Sequence, residues 1–145
     1  MDKHADTGDI VAQERVALPD GIRYTDAEKI LSAHAARLLI NALGAAPNGS
    51  FTRTPQARTA APPAPNPSER DFFIATDWNV QRAFNFARGI GERTLLVMDN
   101  QKFFVREAIS FEENEKLAEP VIQEKDFSKI QFANGTLIAK ISPIS

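Results

Sequence analysis

The chain has 145 residues, 17 basic and 19 acidic side chains, a formal net charge of −2 and no cysteine. This length excludes a large multidomain enzyme, because a single domain usually takes about 100 to 200 residues. The lack of cysteine excludes disulfides, thiolate nucleophiles and iron–sulfur clusters, since each of them requires sulfur. We therefore expect one small domain, alone or with an appendage.

The sequence carries no targeting or membrane-spanning pattern. Its first 20 residues hold five acidic side chains and no apolar run of the kind that forms a signal-peptide core. No apolar run approaches the length of about 20 residues that a membrane-spanning helix needs. These features predict a cytoplasmic protein that does not contact a membrane.

Residues 1–24 are predicted to be a flexible end, and residues 25–43 an amphipathic docking helix. Thr25 and Glu28 have the spacing of a capping box, in which each side chain bonds the backbone N–H of the other residue. Gly44 is typical of the position just past a helix end. One apolar face at helical spacing is expected to contact a partner. The residues assigned to this face are Ile30, Leu31, Leu38, Leu39 and Ala42.

A break in composition follows the predicted helix. Residues 44–70 hold six of the nine prolines and a single large apolar side chain, Phe51. Such a segment buries too little apolar surface to offset the entropy of ordering, so it is predicted to be a Pro/Ala-rich linker. Nine of the ten phenylalanines and the only tryptophan lie in residues 71–145, which are predicted to form a compact domain.

The predicted domain begins with a short strand and a helix. Residues 72–75 are an apolar run of strand length. Residues 78–88 carry apolar side chains at helical spacing, with Thr76 or Asp77 as the N-cap. A second helix is predicted over residues 111–118, which are acidic and end shortly before a proline.

A β-hairpin is predicted from residues 94–98 and 102–109, which are rich in β-branched and aromatic side chains. Residues 99–101 between them have turn chemistry. Together with a second hairpin further along the chain, it makes a small antiparallel sheet. The predicted fold class is α+β: this sheet packed with one or two helices, preceded by the amphipathic helix and the linker.

The second hairpin has the strongest local signal, because the dipeptide Asn134-Gly135 favours a two-residue type I′ turn with positive φ at the glycine. In that turn Phe132 lies opposite Leu137. The alternation of apolar residues predicts one buried face for the hairpin. The residues of that face are Ile130, Phe132, Leu137, Ala139 and Ile141.

No catalytic, cofactor-binding or metal-binding constellation is visible in the sequence. The only histidines, His4 and His34, precede the predicted domain and lack metal-ligand spacing. His34 is interpreted as a polar residue at the edge of the helix face, with a pH-sensitive contact as the alternative. The acidic residues from 112 to 119 are interpreted as solvated surface, since no calcium-loop glycine accompanies them. We therefore predict no catalytic residue, no cofactor and no metal.

Nucleic acid is not the expected partner, because the predicted folded portions are mildly acidic. Phe103, Phe104 and Arg106 have the residue types of a stacking platform for single strands. Consecutive phenylalanines on a strand point to opposite faces, so at least one of them is expected in the core.

The leading hypothesis is a non-enzymatic protein–protein interaction protein, such as an accessory subunit, assembly factor or inhibitor. It contacts another protein, or a second copy of itself, through the helix and the domain. Because the linker connects these two contacts, binding of one raises the effective concentration of the other at the partner. Two alternatives stay open: a single-domain nucleic-acid-binding or regulatory protein, and a small carboxylate- or cofactor-dependent enzyme. In the single-domain arrangement, the helix folds back on its own sheet.

Overall fold

Two compact units make up the chain in the computed structural model. Unit 1 combines Met1–Leu18 with Asp26–Pro65. Unit 2 combines Pro19–Thr25 with Asn66–Ser145. The residues that the structure describes are 8–50, 52–56, 64–98 and 101–144.

The predicted division of the chain into an end, a helix, a linker and a domain stays a prediction. Its bounds are 1–24, 25–43, 44–70 and 71–145. Parts of the predicted end and linker lie outside the described residues, namely 1–7, 51 and 57–63.

Most of the helix α1, Tyr24–Ala45, belongs to unit 1. It begins one residue before its predicted start and passes Gly44, after which a 3-10 turn covers Ala46–Asn48. No residue of α1 is buried. In the described part of the chain, no helix is long and apolar enough to cross a membrane.

Polar contacts connect the extended segment before α1 with other parts of unit 1. The backbones of Ile10 and Thr54 exchange two hydrogen bonds of 2.8 and 3.0 Å. The Glu14 carboxylate contacts Arg37 and lies 3.2 Å from Nδ1 of His34. His34 therefore faces a carboxylate of its own unit.

Unit 2 contains a mixed sheet of six strands and the helix α2, Val80–Ile90. The strands are β1 Phe73–Ile74, β2 Leu95–Met98, β3 Gln101–Glu113, β4 Val121–Gln123, β5 Ser128–Phe132 and β6 Gly135–Pro143. Their order is β1-β2-β3-β6-β5-β4, with β1 parallel to β2 and the other neighbours antiparallel. The predicted α+β class is confirmed, and so is the hairpin of β2 and β3. Residues 99 and 100 of its turn lie outside the described residues.

The core of unit 2 is formed by α2 and the inner face of the sheet. Val80, Ala83 and Ala87 are the buried residues of α2. The strands supply the rest of the core from one face of the sheet, since every second side chain of a strand points to the same face. The largest fully buried apolar side chains are Leu96, Ile130, Leu137, Val80 and Val105.

β2 and β4 are not neighbours in the strand order, but both line the same cavity. This shared lining indicates that the sheet is curled. Met98 of β2 and Val121 of β4 border a cavity of about 220 Å³ together with Phe103 and Ile141. The curl encloses the apolar inner face and leaves an outer face on β1, β2 and β3.

The start of α2 differs from its prediction at Trp78 with Thr76 or Asp77 as the cap. The N-cap is Asn79, whose Oδ1 accepts hydrogen bonds from the backbone N–H groups of two residues in the first turn. A second amide, that of Asn134, accepts from the backbone N–H of Val80 at 2.8 Å. The first turn is therefore capped partly by a residue distant in sequence.

The second hairpin forms with a register that differs from the prediction. Phe132 pairs with Gly135 and Ile130 with Leu137, so the two turn residues are Ala133 and Asn134. Gly135 is a strand residue and does not have positive φ. The predicted inner face is nevertheless buried at Ile130, Phe132, Leu137 and Ala139. A shift of two residues preserves the face, because the side-chain period of a strand is two.

The helix predicted over residues 111–118 is wrong. Residues 111–113 extend β3, where Phe111 pairs with Leu137 and Glu113 with Gly135. Pairing with β6 satisfies the backbone hydrogen bonds and lets Phe111 pack against the core, so tertiary packing overrides the local helix preference. At Asn114 the chain leaves the strand with a φ of 63°.

Candidate nucleic-acid interface

The outer face of β1, β2 and β3 carries two phenylalanines around a buried leucine. Phe73 pairs with Leu95, which pairs with Phe104, and residues that lie opposite each other on neighbouring strands share a face. Leu95 is only 6% exposed and lies between the two phenylalanines. The opposite face carries the next row, in which Ile74 and Leu96 belong to the core.

Phe103 and Phe104 point to opposite sides of the sheet, as expected for consecutive strand residues. Phe103 pairs with Leu96 and lines the inner cavity with Met98. Phe104 lies on the outer face beneath Arg106. Phe103 is half-buried and is not among the core residues, so the expected core position is not confirmed, and the outer phenylalanine is Phe104.

Each of three phenylalanines on or beside the outer face lies under a cation. The pairs, with the distance from the cationic group to the ring centroid, are Arg93 on Phe72 at 4.1 Å, Lys102 on Phe73 at 5.4 Å and Arg106 on Phe104 at 4.5 Å. All three distances are within the range of a cation–π interaction, about 6 Å. We call these six residues the cationic face.

The cations of this face are positioned by further polar contacts. Nζ of Lys102 lies 2.8 Å from Oε1 of Glu69, and the two side chains are 50% and 61% exposed. Nε of Arg106 donates to Oγ of Ser142 at 2.8 Å. An exposed ion pair contributes only about 0 to 1 kcal/mol, so a phosphate can replace the Glu69 carboxylate at little cost.

Acidic residues of unit 2 lie both beside the cationic face and away from it. Many of them follow the middle of β3, at the far end of that strand and in the loops around β4. These residues are Glu112, Glu113, Glu119, Glu124 and Asp126. Glu69 is paired with Lys102, and Glu92 and Glu107 are next in sequence to Arg93 and Arg106, so the cationic face groups three basic side chains but also has carboxylates beside it.

The residues predicted to contact a partner lie on α1 in unit 1 and differ in exposure. Ile30, Leu38 and Ala42 are half-buried. Leu31 and Leu39 are exposed, at 44% and 59%. Their role in docking stays a prediction.

Metal-binding groups were not expected, and the described residues contain no group of three or more His, Asp or Glu side chains that could hold a metal ion. His34 is the histidine within the described part of the chain, and it lies against Glu14 in unit 1.

Sequence reasoning found one pair of the cationic face and missed the others. Lys102, Phe104 and Arg106 alternate along one strand, and that period-two pattern is the signal that places them on one face. Phe72 and Arg93 lie just before β1 and β2, and no local pattern indicates that these two strands pair in parallel.

Comparison with known proteins relates part of the chain to a formyltransferase. No family model matches it. The methionyl-tRNA formyltransferase of Carboxydothermus hydrogenoformans is 39% identical over 74 residues, which cover 51% of this chain and 24% of that protein.

The fold is that of part of HypX. A crystal structure of a HypX variant from Aquifex aeolicus matches with a TM-score of 0.67 and 13% identity, over 98% of this chain and 28% of that chain. HypX from Aquifex aeolicus in complex with tetrahydrofolic acid matches with a TM-score of 0.67 and 13% identity, over 98% and 27%. The chain thus spans about a quarter of the length of the proteins it matches.

These matches overturn the functional hypothesis drawn from composition. A non-enzymatic accessory subunit, assembly factor or inhibitor does not fit a chain that is 39% identical over 74 residues to a formyltransferase. The prediction that the chain is not an enzyme is wrong for the same reason. Composition missed the relationship because the sequence carries no catalytic motif that would have indicated it. The chain resembles a formyltransferase-like enzyme over about a quarter of that enzyme's length.

Proposed function

We propose that this chain is an RNA-contacting domain of a formyl-transfer enzyme that acts on an aminoacyl-tRNA. The observation that carries this proposal is the cationic face, where three phenylalanine rings each lie under a cation. Aromatic rings and guanidinium planes stack on unpaired bases, and cations neutralise phosphates. The name of the 39% identical relative, methionyl-tRNA formyltransferase, supports tRNA as the nucleic acid.

This proposal departs from the partner predicted from composition, which was a protein or a second copy rather than a nucleic acid. The composition argument used the net charge of whole segments. Binding depends on the charge within about 10 Å of the phosphate, which is the Debye length at 0.1 M salt. Within that distance, we expect the three cations of the cationic face to attract an anionic partner.

The proposal assigns substrate contact to this chain and leaves the chemistry of formyl transfer to the whole enzyme. No side chain is assigned a catalytic role. A cytoplasmic location belongs to the proposal as well, because a chain without cysteine is compatible with a reducing compartment, where aminoacyl-tRNA is found.

The test is the affinity of the full chain for methionyl-tRNA, measured by fluorescence anisotropy over a series of salt concentrations. We expect the double change Arg93→Gln, Lys102→Gln to weaken binding at least tenfold near 0.1 M salt. The slope of log affinity against log salt should fall by about 1.4 to 1.8, because two phosphate contacts are lost.

The matched control is Lys116→Gln, Lys125→Gln, which removes two exposed positive charges from loops outside the cationic face. This variant should bind methionyl-tRNA as the parent chain does, because Lys116 and Lys125 are not part of the proposed RNA contact. Equal losses in both double variants would mean that net charge alone drives binding. That result, or no binding of tRNA by the parent chain, would contradict the proposal.

A further inference from the structure

A cleft of about 560 Å³ lies in unit 2 among three elements. Its walls are the segment that ends at Thr25, the last turn of α2 with the residues after it, and the middle of β3. The volume falls within the range of about 300 to 1,000 Å³ that small-ligand sites occupy. The side chains that decide its chemistry are Arg23, Tyr24, Arg88, Glu92, Arg106 and Glu107.

A β-bulge brings two successive residues of β3 to this cleft. Val105 pairs with Ile141 whereas Glu107 pairs with Lys140, so Arg106 is an extra residue in the strand. In a regular strand, consecutive side chains point to opposite faces, and a bulge changes the direction of a side chain. Arg106 and Glu107 consequently both line the cleft.

The three arginines of the cleft differ in how they are engaged. Arg88 donates to the carbonyl oxygens of Gly21 and Ala108, which makes it part of the framework. Arg23 is 51% exposed and lies 2.8 Å from Glu107. A guanidinium has five N–H donors, and the bond from Arg106 to Ser142 uses one of them. Arg23 and Arg106 are therefore the cations that an incoming anion would meet.

Glu107 holds the position that such an anion would take beside Arg23. Its Oε1 lies 2.8 Å from Arg23, and its Oε2 lies 2.8 Å from Nζ of Lys140. When Arg23 turns to a ligand, Glu107 keeps Lys140 as its partner, so neither charge is left alone. A phosphate offers a guanidinium the same bidentate geometry as a carboxylate.

The helical wall of the cleft has the opposite polarity. The C-terminal end of α2 carries negative partial charge on its last carbonyl groups, and Glu92 lies two residues beyond it. A carboxylate accepts hydrogen bonds from the exocyclic amino group of a base such as cytosine. Tyr24, which is 57% exposed, offers an aromatic ring for stacking.

We propose that this cleft binds a nucleoside 5′-phosphate unit whose base carries an exocyclic amino group. The phosphate lies on Arg23 and Arg106, the base stacks on Tyr24, and the amino group points to Glu92. The unit is either a free nucleotide or an unpaired nucleotide of an RNA, since both have the same chemistry. Only the RNA source rests on the function proposed above.

The first experiment titrates the full chain with cytidine 5′-monophosphate up to millimolar concentrations and follows binding by NMR. Uridine 5′-monophosphate, which lacks the amino group, should bind several-fold more weakly, and cytidine without a phosphate at least tenfold more weakly. Glu92→Gln should bring the two nucleotides to similar affinity, because an amide both donates and accepts. Equal binding of cytidine and its monophosphate would overturn the phosphate assignment.

Two variants with opposite expected effects on binding test the arrangement around Glu107. Arg23→Gln should weaken binding of cytidine 5′-monophosphate at least tenfold, whereas Glu107→Gln should strengthen it by releasing Arg23. The matched controls, Lys125→Gln and Glu124→Gln, change the net charge by the same amounts in the loop between β4 and β5. They should leave the affinity unchanged, and parallel effects in the controls would overturn the proposal.

The second experiment measures methionyl-tRNA binding by Tyr24→Ala, which leaves the rings of the cationic face in place. Lower tRNA affinity identifies an RNA nucleotide as the occupant, even if the free nucleotide does not bind. Binding of the free nucleotide without any binding of tRNA identifies a free nucleotide and overturns the function proposed above. Normal tRNA affinity in Tyr24→Ala, with no binding of cytidine 5′-monophosphate by the parent chain, overturns the cleft proposal alone. If the parent chain binds neither ligand, both proposals fail.

Discussion

Nε of Arg88, in the last turn of α2, donates a hydrogen bond to the carbonyl oxygen of Gly21. Gly21 has a φ of 65°, and a Cβ at this position would lie 2.7 Å from Cε1 of Phe84. Both the backbone conformation and the close approach of Phe84 therefore require glycine. The contact attaches the segment Pro19–Thr25 to α2 within unit 2.

Replacing Arg88 by methionine should lower the free energy of unfolding by roughly 1.5 to 3 kcal/mol, the usual scale for a hydrogen bond to a charged group. Methionine keeps an unbranched apolar stem over Phe84 but removes the donors to Gly21 and Ala108. Urea unfolding followed by circular dichroism measures the change. The control is Arg82→Met, since Arg82 only lies over Trp78 at 4.0 Å on the surface of the same helix. Equal stabilities of the two variants would contradict the anchoring role of Arg88.

Gly135 is required by packing and not by its backbone angles. A Cβ at this position would overlap the carbonyl oxygen of Glu112 and lie 3.0 Å from Cγ1 of Val80. Gly135→Ala should therefore destabilise unit 2 by about 1 to 3 kcal/mol, because β3 and β6 must separate to admit the methyl group. Thermal melts measure this change.

Gly89→Ala is the matched control for this prediction. Gly89 lies within α2, and a Cβ there meets no atom within 4 Å. Alanine is a better helix former than glycine, so this variant should gain up to about 1 kcal/mol. If Gly135→Ala melts at or above the parent temperature, the close approach of β3 to Gly135 is wrong.

Asn134 caps α2 from the hairpin turn by accepting a hydrogen bond from the backbone N–H of Val80 at 2.8 Å. Asn134→Ala should cost about 1 kcal/mol, the usual loss for an N-terminal cap. Asn134→Asp keeps the acceptor and adds negative charge at the positive end of the helix, so it should be as stable as the parent. Denaturant midpoints distinguish these outcomes, and an equal loss in both variants would exclude the capping bond.

The pKa of the Glu107 carboxyl is held below its ordinary value, first by the hydrogen bond from Lys140 and then by Arg23. In the unfolded chain this carboxyl binds its proton more readily, so its ion pairs stabilise the fold above the ordinary pKa of about 4.3. That contribution is lost as the pH falls through the lower pKa of the folded state.

We therefore expect the difference in melting temperature between the parent chain and Glu107→Gln to be largest near neutral pH and to vanish in acid. Thermal melts from about pH 3 to pH 7 test this at low salt, where ion pairs are least screened. Glu113→Gln removes an exposed carboxylate from the same strand and serves as the control. A difference that does not change with pH would show that the side-chain volume of Glu107, and not its charge, is responsible.

Alternation and composition were sufficient for the fold class and for the inner face of the second hairpin. Ile130, Phe132, Leu137 and Ala139 are buried as predicted, although the turn is displaced by one residue to Ala133 and Asn134. Local sequence determines which side chains prefer to leave water. It does not determine which residues face each other across the turn, since registers two residues apart bury the same side chains.

Only the tertiary structure decided where these elements meet and which side chains they bring together. The strand at residues 111–113 depends on pairing with β6, and the cap of α2 depends on Asn134 in a turn formed more than 50 residues later. The cationic face depends on the parallel pairing of β1 with β2, which places Phe73 and Phe104 on either side of Leu95. A sequence records the chemistry of each side chain, whereas a site depends on distances between residues far apart in the chain. Those distances are determined by how the strands pair and how the sheet curls.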